Sequence, residues 1–187
     1  MIDDPQRLRA LYPAPGERAL RKQMSALDAH ALRYIELSPF VVLATSDAAG
    51  RQDASPRGGA PGFVRATAQQ LWIPDAPGNH RLDSLGNIVD TGRIGLLFLI
   101  PGVDETLRVN GTARISASPV LCERFAVEGK RPATVLVITV NLVFFQCARA
   151  IKRSQLWNPA VQRDRAELPS PGEILQALEA RDRKSVV

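Results

Sequence analysis

The sequence predicts a mainly β protein, an antiparallel sheet or small barrel with helices at its margins. Short runs of β-branched, aromatic and aliphatic residues recur along the chain, each bounded by Gly, Pro, Asp or Ser. These runs arrive mostly in hairpin succession, with few helical patterns between them. The chain has 187 residues, 45% of them hydrophobic, which suits one domain with a continuous core. A domain of that size buries roughly 70% of its unfolded surface.

Residues 1–15 are polar, contain Pro5, Pro13 and Pro15, and read as a short helical turn with a loose lead-in. From Glu17 a helix is expected, because Leu20, Met24, Leu27, Ala31 and Tyr34 recur at spacings of three and four. Pro39 stops it. His30, at the edge of this stripe, reads as a packed or solvated histidine.

Phe40–Thr45 reads as a strand, Ser46–Gly50 as its turn, and Gln52–Arg57 as the returning strand. Asp53, Ser55 and Arg57 alternate and therefore share one face. Pro56 cannot donate to a ladder, so this strand belongs at an edge or a bulge. Gly58-Gly59-Ala60-Pro61-Gly62 forms a bare loop, either a simple glycine turn or a place where a ring or backbone could approach.

After the short strand Leu71–Ile73, Pro77-Gly78 turns the chain into a helical pattern in which Leu82, Leu85 and Ile88 share a buried face. Asn79, His80, Arg81 and Ser84 then surround the opening turn, where free N–H groups and the positive dipole end attract an anion. The same residues also fit an ordinary helix with Asn79 as N-cap and Asp83 satisfying the dipole.

Arg93–Ile100 is a continuous apolar run and reads as a strand buried on both faces, turned by Pro101-Gly102. In the next strand Leu107, Val109, Ala113 and Ile115 lie on one face, and Arg108, Asn110, Thr112 and Arg114 on the other. Ser118-Pro119 opens a short helix over 118–127. Thr134–Phe145 is a long strand, Cys147–Gln155 a basic helix, and a polar linker precedes a final helix from about Gly172 to Arg183.

Several classes are excluded. The net charge of +5 comes from scattered basic residues, and aromatics are 5% of the chain with no stacking pattern, so no nucleic-acid partner is expected. Two cysteines and two histidines offer no metal-ligand spacing; Cys122 and Cys147 sit in apolar sequence and read as inert core thiols. No apolar run approaches the roughly 20 residues that span a bilayer, and the acidic start lacks an apolar signal core. A cytoplasmic protein without membrane partners is expected. No GxGxxG follows a strand, and no P-loop, GxSxG or HExxH occurs.

Read together, Ser55-Pro56-Arg57-Gly58-Gly59, Pro77-Gly78-Asn79, Arg81-Leu82-Asp83-Ser84, the Arg93–Gly102 run, Glu105–Ile115 and the late Arg153-Ser154…Leu156-Trp157 resemble the pyridoxamine 5′-phosphate oxidase-like FMN-binding proteins. The resemblance covers about residues 38–160 and implies a split β-barrel, FMN as cofactor, and a homodimer with the flavin at its interface. It divides the single domain into an N-terminal helical extension (1–37), a barrel core (38–160) and a C-terminal helical tail (161–187). By motif position it implies that Ser55, Arg57, Asn79, Arg81 and Ser84 hold the flavin's phosphate end, with Leu82 among the cofactor-binding residues. Ile73-Pro74-Asp75 would run beside the ring, and Arg153 and Trp157 would reach the partner's flavin. Trp157 equally suits a core or interface anchor. Asp75 is the acid–base candidate, with no catalytic residue otherwise assigned.

The expected function is an FMN-dependent oxidoreductase acting on a small organic substrate or a reduced nicotinamide. A deazaflavin reductase and a flavin-binding or sensing protein without turnover are the alternatives. There are departures: no C-terminal Arg-x-His element follows Trp157, and glycines follow Arg57 where the family has an apolar run ending in Lys. Both argue against vitamin B6 oxidation and leave flavin binding intact.

Overall fold

The structure is a computed structural model that describes residues 1–17 and 22–184. Its strands are β1 (Gln23–Met24), β2 (Phe40–Ser46), β3 (Gln52–Gly58), β4 (Arg65–Ala66), β5 (Gln70–Pro74), β6 (Arg93–Leu99), β7 (Thr106–Ser116) and β8 (Val135–Gln146). Its helices are α1 (Pro5–Ala10), α2 (Ala29–Leu37), α3 (Asp83–Thr91), α4 (Pro119–Glu123), α5 (Arg149–Ser154) and α6 (Pro171–Lys184), with 3-10 turns at Pro159–Val161 and Arg165–Glu167.

All strand pairings are antiparallel, in the order β3-β2-β6-β7-β8-β5-β4, and the sheet does not close. β8 is the long member. One edge pairs with β7 along its length, while the other pairs first with β5 (Val135–Thr139) and then with β1 (Val143–Phe144). The sheet thus divides at β8, as a split barrel requires. Pro56 sits on β3 at the sheet edge, where its missing N–H costs no ladder bond.

The β7–β8 ladder slips by one residue between Asn110 and Gly111, leaving Asn141 as the extra residue of a bulge. Gly111 is required there. A Cβ on it would lie 2.1 Å from the Thr139 carbonyl oxygen, a backbone atom that cannot step aside.

The core lies on one face of the sheet, where Val41, Leu43, Leu96, Phe98, Leu107, Val109, Ile138 and Val143 are buried, under α2 and α3. α2 contributes Ala31, Tyr34 and Ile35, and α3 contributes Ile88 with half-buried Leu85. β6 alternates buried Ile94, Leu96 and Phe98 with half-buried neighbours, so the expectation of burial on both faces is corrected to burial on one. Among the described residues, no helix packs substantially over its apolar outer residues.

The continuous helix expected from Glu17 to Pro39 is corrected to an interrupted one: Glu17 is helical and residues 18–21 lie outside the described residues. Gln23–Met24 is extended and pairs with Phe144 and Val143 of β8, because that edge offers ladder partners beyond the end of β5. The helix that follows the strand runs Ala29–Leu37 and is capped by the Asp28 carboxylate, which accepts from the Ala31 N–H. Leu27, Ala31 and Tyr34 are buried as expected, while Leu20 lies outside the described residues. Cys122 is buried; Cys147 is exposed just past the end of β8, which corrects its reading as a core thiol.

Tyr34 stands edge-on to Phe145, and its hydroxyl donates to the Glu105 carbonyl at 2.6 Å. Burial pushes its pKa up from 10.0 to about 12. Between those values the unfolded chain has lost the proton that the folded chain keeps, so stability falls as pH rises through this window. Urea titrations at successive alkaline pH values should show that decline, and Tyr34→Phe should flatten it. Gly111→Ala should lower unfolding stability by about 2–4 kcal/mol in the same measurement, the scale of overpacking or a broken ladder.

Candidate functional site

Residues opposite each other in an antiparallel pair project to the same face. Asp53, Ser55 and Arg57 of β3 stand opposite Thr45, Leu43 and Val41 of β2, so they extend the core face to the sheet edge. All three are half-buried, as their alternation implied.

Helix α3 lies over the end of this face. The Ser84 hydroxyl donates to the Asp53 carboxylate, Asn87 donates to the Thr45 hydroxyl at 3.0 Å, and the Thr91 hydroxyl donates to the Ser46 carbonyl at 3.0 Å. Along β3 the residues run from Asp53 to Arg57, away from Ser46. The helix contacts pass from Asp53 on β3 to Thr45 and Ser46 on β2 and on to β6 and β7, so α3 crosses the strands and sets its N-terminal end over β3 beside Asp53. Arg57 closes the row by donating to the Ser55 hydroxyl and, at 2.9 Å, to the Pro56 carbonyl.

The helix start differs from expectation. Asn79 is not its N-cap: the helix begins at Asp83, and the Asn79 side chain instead accepts from the Arg81 N–H at 3.1 Å. Leu82 holds the N-cap position in the left-handed region (φ 61°) and contributes no side-chain cap. It is 56% exposed, so it does not join Leu85 and Ile88 on the buried face. The reason is rotational: with residue 82 outside the helix, the three-and-four spacing no longer fixes where its side chain points. His80 is also left-handed (φ 60°), so the chain enters α3 through two strained non-glycine residues. The first turn consequently presents N–H groups that no side chain caps.

Charge around this turn is mixed. Arg81 Nε donates to the Asp83 carboxylate at 2.8 Å. That hydrogen bond, the Asp83 charge and a smaller contribution from Asp53 hold the Arg81 guanidinium more firmly protonated than usual. Asp53, noted from sequence only as a neighbour of Ser55 and Arg57, proves to be the contact between β3 and α3. Its bond to Ser84 joins residues 31 apart in sequence, and nothing local signals it.

The remaining candidates lie elsewhere. Asp75 is half-buried at the end of β5, its N–H donating to the Thr134 carbonyl at 3.0 Å. Arg153 is exposed on the last turn of α5. Trp157 donates its indole N–H to the Val103 carbonyl at 2.8 Å, which anchors the segment after α5 to the β6–β7 turn. Among the described residues no hydrogen bond or ion pair joins Asp75, Arg153 or Trp157 to the Ser55–Ser84 group. The Gly58–Gly62 loop is exposed; a Cβ at Gly59 would meet the Phe63 side chain at 2.8 Å, while one at Gly62 would meet nothing within 4 Å. No group of three or more potential metal ligands occurs among the described residues, and none of their helices is long and apolar enough to cross a membrane.

An unclosed antiparallel sheet with this helix over its edge defines a split-barrel protein. Residues 27–147 match the family model described as pyridoxamine 5′-phosphate oxidase, and the chain belongs to that family. No curated protein sequence matches it significantly. Among solved structures, the fold is similar to a variant of HupZ from Group A Streptococcus, with a TM-score of 0.52 and 20% identity over 64% of this chain and 98% of that one. The HupZ structure from the same organism gives 0.50 and 22% identity, covering 64% and 93%. A conserved hypothetical protein of Mycobacterium tuberculosis gives 0.50 and 14%, covering 67% and 88%. At these identities the likeness is one of fold.

Ser84→Ala should lower unfolding stability by about 1 kcal/mol, because the Asp53 carboxylate loses its donor from the helix. A double-mutant cycle with Asp53→Ala, followed by urea unfolding, should return a coupling of about 0.5–2 kcal/mol.

Proposed function

We propose that this chain is an FMN-dependent oxidoreductase, active as a homodimer, whose split-barrel core holds the flavin phosphate between β3 and the start of α3. The observation that carries the proposal is the N-terminal turn of α3, without a side-chain cap, held over β3 at Asp53 on the face that Ser55 and Arg57 share. A dianionic phosphate calls for such a set: a guanidinium able to bind it bidentately, hydroxyl donors, and helix-end N–H groups. Arg57, Ser55, Ser84 and the first-turn N–H groups would hold it, and Arg81 would join on exchanging Asp83 for the phosphate.

Bound FMN would supply hydride or electron acceptance at its ring, exchanging with a reduced nicotinamide or a small organic substrate. The chain's own contribution is orientation and exclusion of water. Asp53 keeps the Ser84 hydroxyl turned toward β3 until a stronger acceptor arrives. Asp75, at the far end of β5, is the side chain assigned to the ring's surroundings. Arg153 and Trp157 are assigned to the neighbourhood of the partner's flavin. Residues 1–37 and 161–187 flank the barrel core of 38–160, and the protein acts in the cytoplasm.

FMN titration followed by flavin fluorescence and the visible spectrum tests this reading. Arg57→Ala and Arg81→Ala should each weaken FMN by about 1.5–3 kcal/mol, the worth of a charge-assisted hydrogen bond. A wild-type protein that takes up no FMN would sink the proposal. FMN bound without reduction by NADH or NADPH and without oxidase activity would assign the chain to flavin binding alone.

A further inference from the structure

A groove of about 580 Å³ runs between α2 and β4, at the opposite end of the strand order from β3. Leu32 and Ile35 of α2, with Val64 and Ala66 across from them, give it an apolar interior, and exposed Arg33 and Glu36 stand at its rim. Its volume and lining fall within the range of binding clefts, roughly 300–1,000 Å³. Arg33 donates to Glu36 at 2.7 Å, so the rim charges cancel. Arg65 also lines the groove, yet its guanidinium stacks over the Phe125 ring at 4.8 Å, in the cluster that packs Trp72. Its charge is therefore turned to the outer face, and its share of the groove wall is the main chain of β4. The interior carries no net charge and disfavours a charged occupant.

The main chain on that wall is unpaired. β4 ends the strand order, so one of its edges has no neighbour. The Thr67 N–H donates to the Gln70 carbonyl at 2.8 Å, which makes these two a hydrogen-bonded pair. Bonded and non-bonded pairs alternate along an antiparallel ladder, so Arg65 and Trp72 bond while Ala66 and Leu71 do not. The Ala66 N–H and C=O therefore point away from β5. Among the described residues, neither they nor the main-chain groups of Val64 make a hydrogen bond outside the ladder. Val64 and Ala66, two residues apart, thus present free donors and acceptors at the period of a strand beside an apolar helix face.

We propose that this groove binds an extended, uncharged peptide segment of another protein, which adds as a strand to the free edge of β4 and lays alternate apolar side chains against Leu32 and Ile35. Strand addition draws its affinity from main-chain hydrogen bonds and its selectivity from the pockets that receive every second side chain. Both parts are present here, the first on β4 and the second on α2. A compact apolar molecule would fill the volume but leave the Ala66 main chain unmet. The neutral rim pair matches an uncharged segment, since an acidic one would meet Glu36 and a basic one Arg33. The inference stands on α2 and β4 alone and draws nothing from the flavin reading.

The test titrates the full chain with a capped pentapeptide of alternating threonine and valine (acetyl-TVTVT-amide), followed by ¹H–¹⁵N correlation spectra. The amide signals of Leu32, Val64 and Ala66 should move saturably at millimolar peptide, and exchange of the Ala66 N–H should slow. Two forms of the peptide, N-methylated on alternate residues, separate main-chain pairing from burial. One should bind like the parent and the other roughly tenfold more weakly, because only one set of N–H groups faces β4. Ala66→Pro removes the free donor without breaking a ladder bond and should weaken binding by roughly tenfold. Ala29→Trp, at an exposed lining position, leaves β4 intact, fills the groove and should weaken it by a similar factor. Unmoved Ala66 signals, equal binding of both methylated forms, or undiminished binding in both variants would overturn the proposal. An Ala66 N–H protected without peptide and released on dilution would overturn it in favour of a second copy. Binding of 2-naphthamide at Ala66 where the peptide fails would overturn it in favour of a small molecule.

Discussion

The close approach of Gly111 to the Thr139 carbonyl governs much of the architecture. At that point β7 and β8 slip by one residue, and the free edge of β8 passes from β5 to β1. A regular ladder would carry β8 straight on with a single partner. The bulge bends it and lets two short strands share one edge, so the core face curves around Val109, Ile138 and Val143. A side chain at residue 111 would push the two backbones apart where the sheet has to turn.

At the other end of the sheet β3 is a free edge, where Pro56 is tolerated and where Asp53, Ser55 and Arg57 carry the core face to its margin. The candidate site is thus a by-product of sheet geometry. Its polar residues sit where the core face runs out, and a helix laid across that margin brings its N-terminus with it. The aspartates show that the arrangement is not a bare pocket of positive charge. Asp53 engages Ser84 and Asp83 engages Arg81, so any incoming anion must displace existing partners. Those partners also keep the donors ordered.

Most strands were legible because period-two alternation and turn residues are local signals. The β3 face of Asp53, Ser55 and Arg57 could be read from three alternating positions. The segment before Ala29 could not. Leu20, Met24 and Leu27 have helical spacing, yet whether Met24 is helical or extended depends on an edge of β8 that forms over a hundred residues later. The start of α3 failed for a different reason. A shift of helix origin from Asn79 to Asp83 is small in sequence, but it removes a cap and turns Leu82 outward. The Asp53–Ser84 and Trp157–Val103 contacts have no sequence signature, since each joins segments whose neighbourhood exists only in the folded sheet.

The strand order also imposes a schedule on folding. β2 and β3 form a local hairpin, but β2 must wait for β6, and β5 for β8, before their second edges are covered. β6, β7 and β8 are the run of consecutive neighbours, and both waiting strands attach to it. Loop closure then delays assembly more than local propensity does. A chain emerging from the ribosome holds β2 with an open edge until β6 has been made, and β5 until β8 has been made. That interval, rather than the finished native state, is when this sequence is most exposed to pairing with the wrong strand.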